Sequence, residues 1–456
     1  MYRRLFEYYR TLPPQLPDSL REMEPLLLSV ICGCQAGLFR KALHEVYLPR
    51  IQRGNASFAA KVLGARGALI SVLLHFFEHR RWGPFAETAV DEQSLTPDDQ
   101  LFVLMQAAAY LTTRGMGSPE ARICYERAES LCHSHGHPLL LNVALIGHWR
   151  YTLLTDKVPA AMRIAERVHS LAKEQDDPAL MIWAYNALAC TLYCSGDFES
   201  AQQYATRGVE IWGSRGGRPH PEEVDTPVVG CLCYGAMCAW HLGEIASSHA
   251  SIAQAISLAK ELNDMPALAM ALSWAASLAY NRSNPAEVAR LASDVIEISA
   301  THNFGYWLAV GTIWRGWASS ISGDIKEGIP WIEQGIRDLR ATGSIIGLPI
   351  YLVPRAEALH LADRTSEALE TINEAETLAE RFEHRANCAE LHRLRGVFLA
   401  GMGVDEAEVE TLFCQAIKIA TKQKSISLRE RAEATREKYC AKKRQRITFL
   451  PNSRVF

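Results

Sequence analysis

Two stretches of the sequence combine cysteine and histidine at short spacing, and these residue types are the usual ligands of zinc. The candidate ligands are Cys132, His133, His135 and His137 in CHSHGH (132–137), and Cys231, Cys233 and Cys238 in CLCYGAMC (231–238). Neither stretch has the C-x-x-C spacing of a structural zinc site. Histidine near a helix C-terminus is favoured by the helix dipole, and cysteine is often buried in helical cores. We therefore predict no metal site in either stretch.

Motifs for catalysis are incomplete. A phosphate-binding loop requires G-x-x-x-x-G-K-[ST], and GARGALIS (64–71) lacks the lysine. The zinc-protease pattern H-E-x-x-H fails in HEVYL (44–48), which ends in leucine. Neither G-x-S-x-G nor G-x-G-x-x-G occurs in the sequence. We predict a protein without enzymatic activity or cofactor. The alternative is a metal-dependent enzyme of unrecognised type that uses the cysteine and histidine clusters.

Composition narrows the class of protein further. The chain has 456 residues, of which 48% are hydrophobic and 22% charged, and its formal net charge is −3. This balance is typical of a folded protein and does not indicate a nucleic-acid or membrane-surface ligand. The start MYRRLFEYYR is not followed by the apolar core of a signal peptide, and the apolar runs 25–34 and 67–77 are shorter than a membrane span. We expect a cytoplasmic protein without nucleic-acid or membrane partners.

Small or compact residues recur in pairs seven positions apart, which corresponds to two helical turns. The pairs are Ala121/Ala128, Ala161/Val168, Ala201/Gly208, Ser248/Ala255, Val288/Val295, Gly328/Gly335 and Ala368/Ala375. Their first members step by 40 residues, except for one step of 47 that contains the Gly/Pro-rich stretch 213–230. Because a unit of this length cannot bury its apolar face alone, the repeat predicts a stack of units.

Each of these pairs follows a turn. The turns include SGDF (195–198), HLGE (241–244), SGDI (322–325) and LADR (361–364). Glycine in such a turn supplies the positive φ that ends a helix. Apolar residues on both sides recur at i, i+3, i+4 and i+7, and no strand-like alternation persists. The predicted fold class is therefore all-α, a right-handed α-solenoid of helix-turn-helix repeats with a period of about 40.

The pattern divides the chain into four parts. Residues 1–55 are predicted to form an N-terminal helical segment and a first repeat, and residues 56–115 a degenerate repeat region. Regular repeats occupy residues 116–420, and the register of the last unit is shifted by one residue. Residues 421–456 are predicted to form a C-terminal helix and a basic tail. We interpret the tail (442–456) as a solvated terminus, although a short basic run can also contact phosphates.

The stretch NALACTLYCSGDFESAQQYATRGVEI (186–211) resembles the tetratricopeptide repeat. Leu188, Ala189 and Leu192 match the core positions of the first helix in that repeat, and Gly196 to Phe198 match the turn. The small positions of its second helix are matched by Ala201, Ala205 and Gly208. The resemblance implies a superhelix with a concave binding face.

The 40-residue period is longer than the usual period of about 34. It resembles the repeat arrays that follow a STAND-type ATPase, with or without an adenylate cyclase, in bacterial signalling proteins. The stretches 306–336, 389–396 and 33–55 are similar to that group specifically. This sequence lacks the ATPase and the cyclase. The resemblance therefore implies either a detached sensor arm or the tail of a longer gene.

Tetratricopeptide arrays bind ligands mostly through the first helix of each unit. The repeat register assigns one or two residues of each first helix to this concave face. They are Tyr110, Arg150, Asn186, Tyr193, Trp240, Tyr280, Trp317, Glu357 and Arg393. Of the tryptophans in WRGWASSISGDIKEGIPW (314–331), Trp317 falls on this face, whereas Trp314 and Trp331 are predicted to pack. Packing is a comparable interpretation for Trp317, because apolar helices bury aromatic side chains.

The sequence therefore predicts an interaction or sensor protein. Aromatic and polar side chains on one concave face would suit a protein, a peptide or a small ligand. The resemblance implies a STAND-type ATPase or a cyclase as partner, and a role in bacterial signal transduction or transcriptional regulation. A remnant of a larger regulator without independent function is the alternative.

Overall fold

The computed structural model describes residues 1–54, 58–61, 63–114, 117–135, 138–214 and 226–448. Within these ranges the regular structure is helical, and strand pairing is limited to one isolated bridge between Phe77 and Phe85. The predicted all-α fold class is therefore confirmed. His137 and the end of the basic tail, residues 449–456, lie outside the described residues.

The N-terminal part consists of helices of uneven length. They are α1 (Tyr2–Thr11), α2 (Leu20–Gln35), α3 (Phe39–Lys41), a π-helix (Ala42–Gln52), α4 (Phe58–Lys61) and α5 (Arg66–Leu73), followed by single turns of 3₁₀-helix at Leu74–Phe76, Glu78–Arg80 and Asp91–Gln93. Pro49 lies inside the π-helix and has no N–H to donate, which fits the departure from α-helical bonding there.

Eight helix pairs follow one another in the described chain. They are α6 (Pro97–Arg114) with α7 (Pro119–His135), α8 (Pro138–Thr155) with α9 (Val158–Gln175), α10 (Pro178–Ser195) with α11 (Phe198–Ser214), α12 (Pro227–His241) with α13 (Ile245–Glu261), α14 (Met265–Asn281) with α15 (Pro285–His302), α16 (Gly305–Ile321) with α17 (Ile325–Ala341), α18 (Leu348–Leu361) with α19 (Thr365–Phe382), and α20 (Cys388–Gly401) with α21 (Glu406–Lys422). A final helix, α22 (Ile426–Thr448), follows. The first regular pair thus begins at Pro97, inside the stretch 56–115.

The paired small residues lie on the second helix of each unit, and all of them are buried. A Cβ atom on Gly328 would lie 2.5 Å from the main-chain oxygen of Gly316, and one on Gly335 would lie 2.7 Å from that of Ala309. Only glycine therefore permits the close approach of α16 and α17. In α21 the buried pair is Val409 and Ala416, one residue later than the 40-residue register gives.

Local sequence fixes where the repeat helices begin and end. Gly196, Gly243 and Gly323 have φ values of 82°, 81° and 105° at the turns after α10, α12 and α16. This left-handed conformation favours glycine. At helix starts, the side chains of Asp177 and Asp264 accept hydrogen bonds from main-chain N–H groups of the first turn.

Units five apart in the chain touch along a line that we call the seam. The main-chain oxygen of Leu154 in the last turn of α8 accepts from the N–H of Ile345 before α18, at 3.0 Å. The oxygen of Cys194 in the last turn of α10 accepts from the N–H of Arg385 before α20, at 2.7 Å. The side chain of His241 at the end of α12 hydrogen-bonds to that of Ser425 before α22. The stack therefore completes about one superhelical turn every five units.

Candidate functional site

The first helices of consecutive units face a common interior, which we call the inner channel. Glu357 on α18 is one of the residues on this inner face. Its Oε2 atom accepts a hydrogen bond from the hydroxyl of Tyr280 on α14 and another from Nε1 of Trp317 on α16, each at 2.9 Å. Three of the residues that the repeat register assigns to the concave face therefore meet at one carboxylate.

A second carboxylate in the inner channel pairs with arginine. Arg393 on α20 holds Glu390 on the same helix through two hydrogen bonds of 2.8 Å and 2.7 Å. Arg431 on α22 adds an ion pair of 3.2 Å between Nη1 and Oε1 of Glu390. The side chain of Glu390 is only 7% exposed, so this pairing compensates a charge that is largely removed from water.

The two carboxylates differ in their electrostatics. Burial and the nearby charge of Glu390 raise the pKa of Glu357, although Arg393 and the two hydrogen bonds oppose the shift. Burial alone would raise the pKa of Glu390 too, but Arg393 and Arg431 lower it to about 2. Burial lowers the pKa of Arg393 and Glu390 raises it, with a net upward shift. Glu390 is thus the carboxylate held firmly in its charged form.

Aromatic rings line the other side of the inner channel. The ring of Tyr193 on α10 lies 5.9 Å from that of Trp274 on α14 and 5.9 Å from that of His241. His241 stacks on Phe198 at 3.7 Å. Burial and the charge of Arg431 lower the pKa of His241 to about 3, so this side chain is neutral near pH 7. Trp240 is 5% exposed, and the guanidinium carbon of Arg431 lies 5.3 Å from its ring centroid.

Three of the nine concave-face candidates lie away from this cluster. The hydroxyl of Tyr110 accepts a hydrogen bond of 2.6 Å from Gln52, within the N-terminal core. The guanidinium carbon of Arg150 lies 5.6 Å from the ring centroid of Trp183. Asn186 is buried against Gly230, where a Cβ atom would lie 2.2 Å from the Asn186 Oδ1 atom. These positions therefore contribute to other contacts along the superhelix.

The three tryptophans of 314–331 have separate environments. Trp314 and Trp317 are 1% and 4% exposed, and their rings lie 5.1 Å and 4.8 Å from that of Tyr280. Trp331 is half-buried on α17, under the guanidinium of Arg315 at 4.2 Å. Trp314, which the sequence assigned to packing, therefore packs in the same aromatic cluster as Trp317.

The repeat register missed Glu390, Arg431 and His241. Glu390 stands three residues before Arg393 on one helix, a spacing that favours an ion pair and was available in the sequence. Arg431 lies in the C-terminal helix, where no pair of small residues marks the register. His241 ends a helix, and its ring contacts with Tyr193 and Phe198 become visible only in the tertiary structure.

Free space in the inner channel is small. A cavity of about 20 Å³ is lined by residues that include Tyr193, Trp240, Tyr280, Glu390, Leu428 and Arg431. This volume suffices for about one water molecule. A wider groove of about 460 Å³ lies among α7, α8 and α9, and its lining includes Arg122, His148 and Arg163. None of the nine concave-face candidates lines that groove.

The cysteine and histidine clusters do not converge on a common point. Within the described ranges, no three His, Cys, Asp or Glu side chains are grouped so as to bind one metal ion. Burial raises the pKa of Cys231 to about 12 and that of Cys132 to about 11, which disfavours the thiolate that a metal requires. Among the same residues, no helix combines the length and apolarity needed to cross a bilayer.

The fold is an α-solenoid of helix-turn-helix units, which resembles tetratricopeptide-repeat proteins. No protein-family model matches the chain. An uncharacterized protein of Rhizobium meliloti (strain 1021) is 23% identical over 330 residues, which are 70% of this chain and 31% of that protein. The chain thus spans about a third of the length of this relative.

Several solved structures are similar in fold at low sequence identity. The Rap protein complexed with competence and sporulation factor is 12% identical with a TM-score of 0.47, over 76% of this chain and 99% of that one. NprR in complex with its cognate peptide NprX is 12% identical with a TM-score of 0.46, over 75% of this chain and 97% of that one. The human IFIT1 dimer with m7Gppp-AAAA is 14% identical with a TM-score of 0.46, over 98% and 92%.

Proposed function

We propose that the chain is a non-enzymatic binding protein that receives a peptide segment of a partner protein in its inner channel. The observation that carries this proposal is that Tyr280 and Trp317, from the two preceding units, both donate hydrogen bonds to Glu357. A carboxylate enclosed by aromatic rings lowers stability unless it is compensated, and such groups are concentrated at functional sites. Small ligands are a second class that the same side chains would suit.

The proposed mechanism is a change in superhelical winding. The cavity beside Tyr280 and Glu390 holds about one water molecule in this state, so a peptide would enter there once units five apart separate at the seam. The seam includes hydrogen bonds, such as those of Leu154 and Cys194, and the exposed ion pairs of Lys157 with Glu383 and of Lys424 with Glu199. A ligand that binds the open state better would shift the population toward it. Ligand binding would then change the superhelical winding of the chain.

We further propose a regulatory role in the cytoplasm of a bacterium, with a STAND-type ATPase or a cyclase as the partner that responds. The length of the Rhizobium relative favours a second candidate, in which the chain is the repeat part of a larger regulator and has no independent function. An upstream reading frame that encodes the ATPase would favour this second candidate.

The proposal is tested by native mass spectrometry of the tagged protein, gently purified from its own host. We expect a co-purifying protein or peptide with the wild type, and its loss in Glu357→Gln. Glu370→Gln, at an exposed position on α19, is the matched control and should retain the partner. Equal capture by both variants would contradict binding at Glu357.

A further inference from the structure

The guanidinium group of Arg431 is held by a set of contacts of the kind that recognise arginine. Its Nη1 pairs with Glu390 on α20, its Nη2 donates to the main-chain oxygen of Asn281 at the end of α14, and its guanidinium lies against the ring of Trp240 on α12. The edge and the face of the planar group are thus both used, as in specific arginine recognition. Three different units contribute to this small site.

We propose that Glu390, Trp240 and the Asn281 carbonyl form an arginine seat, that Arg431 occupies it in cis, and that a partner helix enters by placing its own arginine there and displacing α22. This inference rests on the proposed function, since it names the kind of partner. The occupant is a helix that presents one arginine.

The seat is built without help from Arg431. Arg393 orients Glu390 through two hydrogen bonds, and Trp240 is 5% exposed within the aromatic side of the channel. Removal of Arg431 would leave the buried Glu390 carboxylate with one cation fewer, beside the cavity of about 20 Å³. Such a site favours another cationic group over water.

By contrast, α22 fully buries few apolar side chains, although Tyr439 also packs against the ring of Phe413 on α21. Of its residues with described side chains, Leu428 and Ala432 are the buried apolar ones. The neighbouring helix α20 buries Ala389, Leu391, Leu394 and Phe398. Local opening requires less free energy where few apolar groups are buried, so α22 can leave while the helix pairs remain folded.

The contacts of α22 also describe the partner helix. Ser427 donates to the main-chain oxygen of Trp240, Leu428 and Ala432 are buried, and Thr435 accepts from Arg393 at 3.3 Å. Together with Arg431, these residues lie on one helical face. A competing helix should therefore carry arginine, with leucine three residues before it, alanine directly after it and a hydroxyl residue four positions after it.

Hydrogen exchange on the full chain tests whether Arg431 holds α22. Arg431→Gln should raise the exchange of amides 426–435 at least tenfold and leave those of α18 and α20 unchanged. Arg436→Gln removes the same charge from an exposed position of the same helix and should behave like the wild type. Unchanged exchange in Arg431→Gln, or faster exchange throughout α18 to α22, would overturn the proposal, because α22 would then be only a structural cap.

A synthetic peptide of residues 425–439 tests the seat in trans. The tethered α22 competes at high effective concentration, so the Arg431→Gln chain should bind this peptide at least tenfold more tightly than the wild type does. The same peptide with glutamine at position 431 should bind neither chain, and Glu390→Gln added to the Arg431→Gln chain should abolish binding. Equal affinity of the two peptides would overturn the seat.

The host partner separates this inference from the proposed function. If Glu357→Gln and Glu390→Gln both lose the partner, the result supports the proposed function and the arginine seat. A partner that is lost in Glu357→Gln but retained in Glu390→Gln would preserve channel binding and overturn the arginine seat. A peptide that binds as described while Glu357→Gln retains the partner would keep the seat and contradict the proposed site at Glu357.

Discussion

His241 and Ser425 share a hydrogen bond of 2.9 Å between Nδ1 and Oγ, although 184 positions separate them in the chain. The bond joins the end of α12 to the segment before α22, five units later. The interior of one superhelical turn is thereby closed, and Trp240 meets Arg431. Because of this closure, residues from both ends of the superhelical turn contact one another beside the inner channel.

Acid should weaken the fold through its buried histidines. The pKa of His241 is lowered to about 3 and that of His384 to about 4, in both cases mainly by burial. Between these values and the ordinary pKa near 6.5, the unfolded state binds more protons, so stability falls as pH falls. Each histidine should remove about 2 kcal/mol between pH 7 and pH 5.

Urea unfolding across this pH range measures the effect. His241→Gln can still bond to Ser425 but does not titrate, so its loss of stability between pH 7 and pH 5 should be smaller than that of the wild type by about 2 kcal/mol. His79→Gln, at a side chain 80% exposed, should keep the wild-type slope. An unchanged slope in His241→Gln would show that His241 titrates normally in the folded protein.

The hydrogen-bond acceptor at position 357 should matter more than its charge. Glu357→Ala leaves Trp317 Nε1 and the Tyr280 hydroxyl without their acceptor and should cost about 2 kcal/mol. Glu357→Gln keeps an acceptor oxygen, and it removes a carboxylate whose raised pKa shows that ionisation opposes folding. Its unfolding free energy should lie within about 1 kcal/mol of the wild type. Equal losses in the two variants, measured by urea unfolding, would mean that the charge itself stabilises the fold.

Close helix packing should make Gly328→Ala destabilising. Its Cβ atom would lie 2.1 Å from Ser320 Oγ and 2.5 Å from the main-chain oxygen of Gly316, so α16 and α17 must separate. We expect a loss of about 1–3 kcal/mol. Gly235→Ala is the matched control inside α12, because its Cβ atom meets Ala205 at an ordinary 3.5 Å. It should stabilise by about 0.5–1 kcal/mol through helix propensity, and a thermal melt showing the same sign for both variants would contradict the packing argument.

Local rules explain how much of the site was predictable. Tyr280, Trp317 and Glu357 lie on first helices one repeat apart, so a register read from small residues on the second helices brings them to one face. Arg431 follows the last regular unit, where that register has no marker. Tyr110 lies in the same register, but its partner Gln52 belongs to the irregular N-terminal part, which the repeat pattern does not describe.

By itself, the sequence determined the all-α class, the helix pairs of the regular repeats and the small residues on each second helix. These follow from short-range causes, namely apolar periodicity, small residues two turns apart and glycine at positive φ. Only the tertiary structure decided that Leu154 meets Ile345 and that His241 meets Ser425. The rotation between neighbouring units is small and is set by how their side chains pack, so its sum over five units is not encoded in any one repeat. The total rotation over five units closes the channel and brings Arg431 into contact with Glu390 and Trp240.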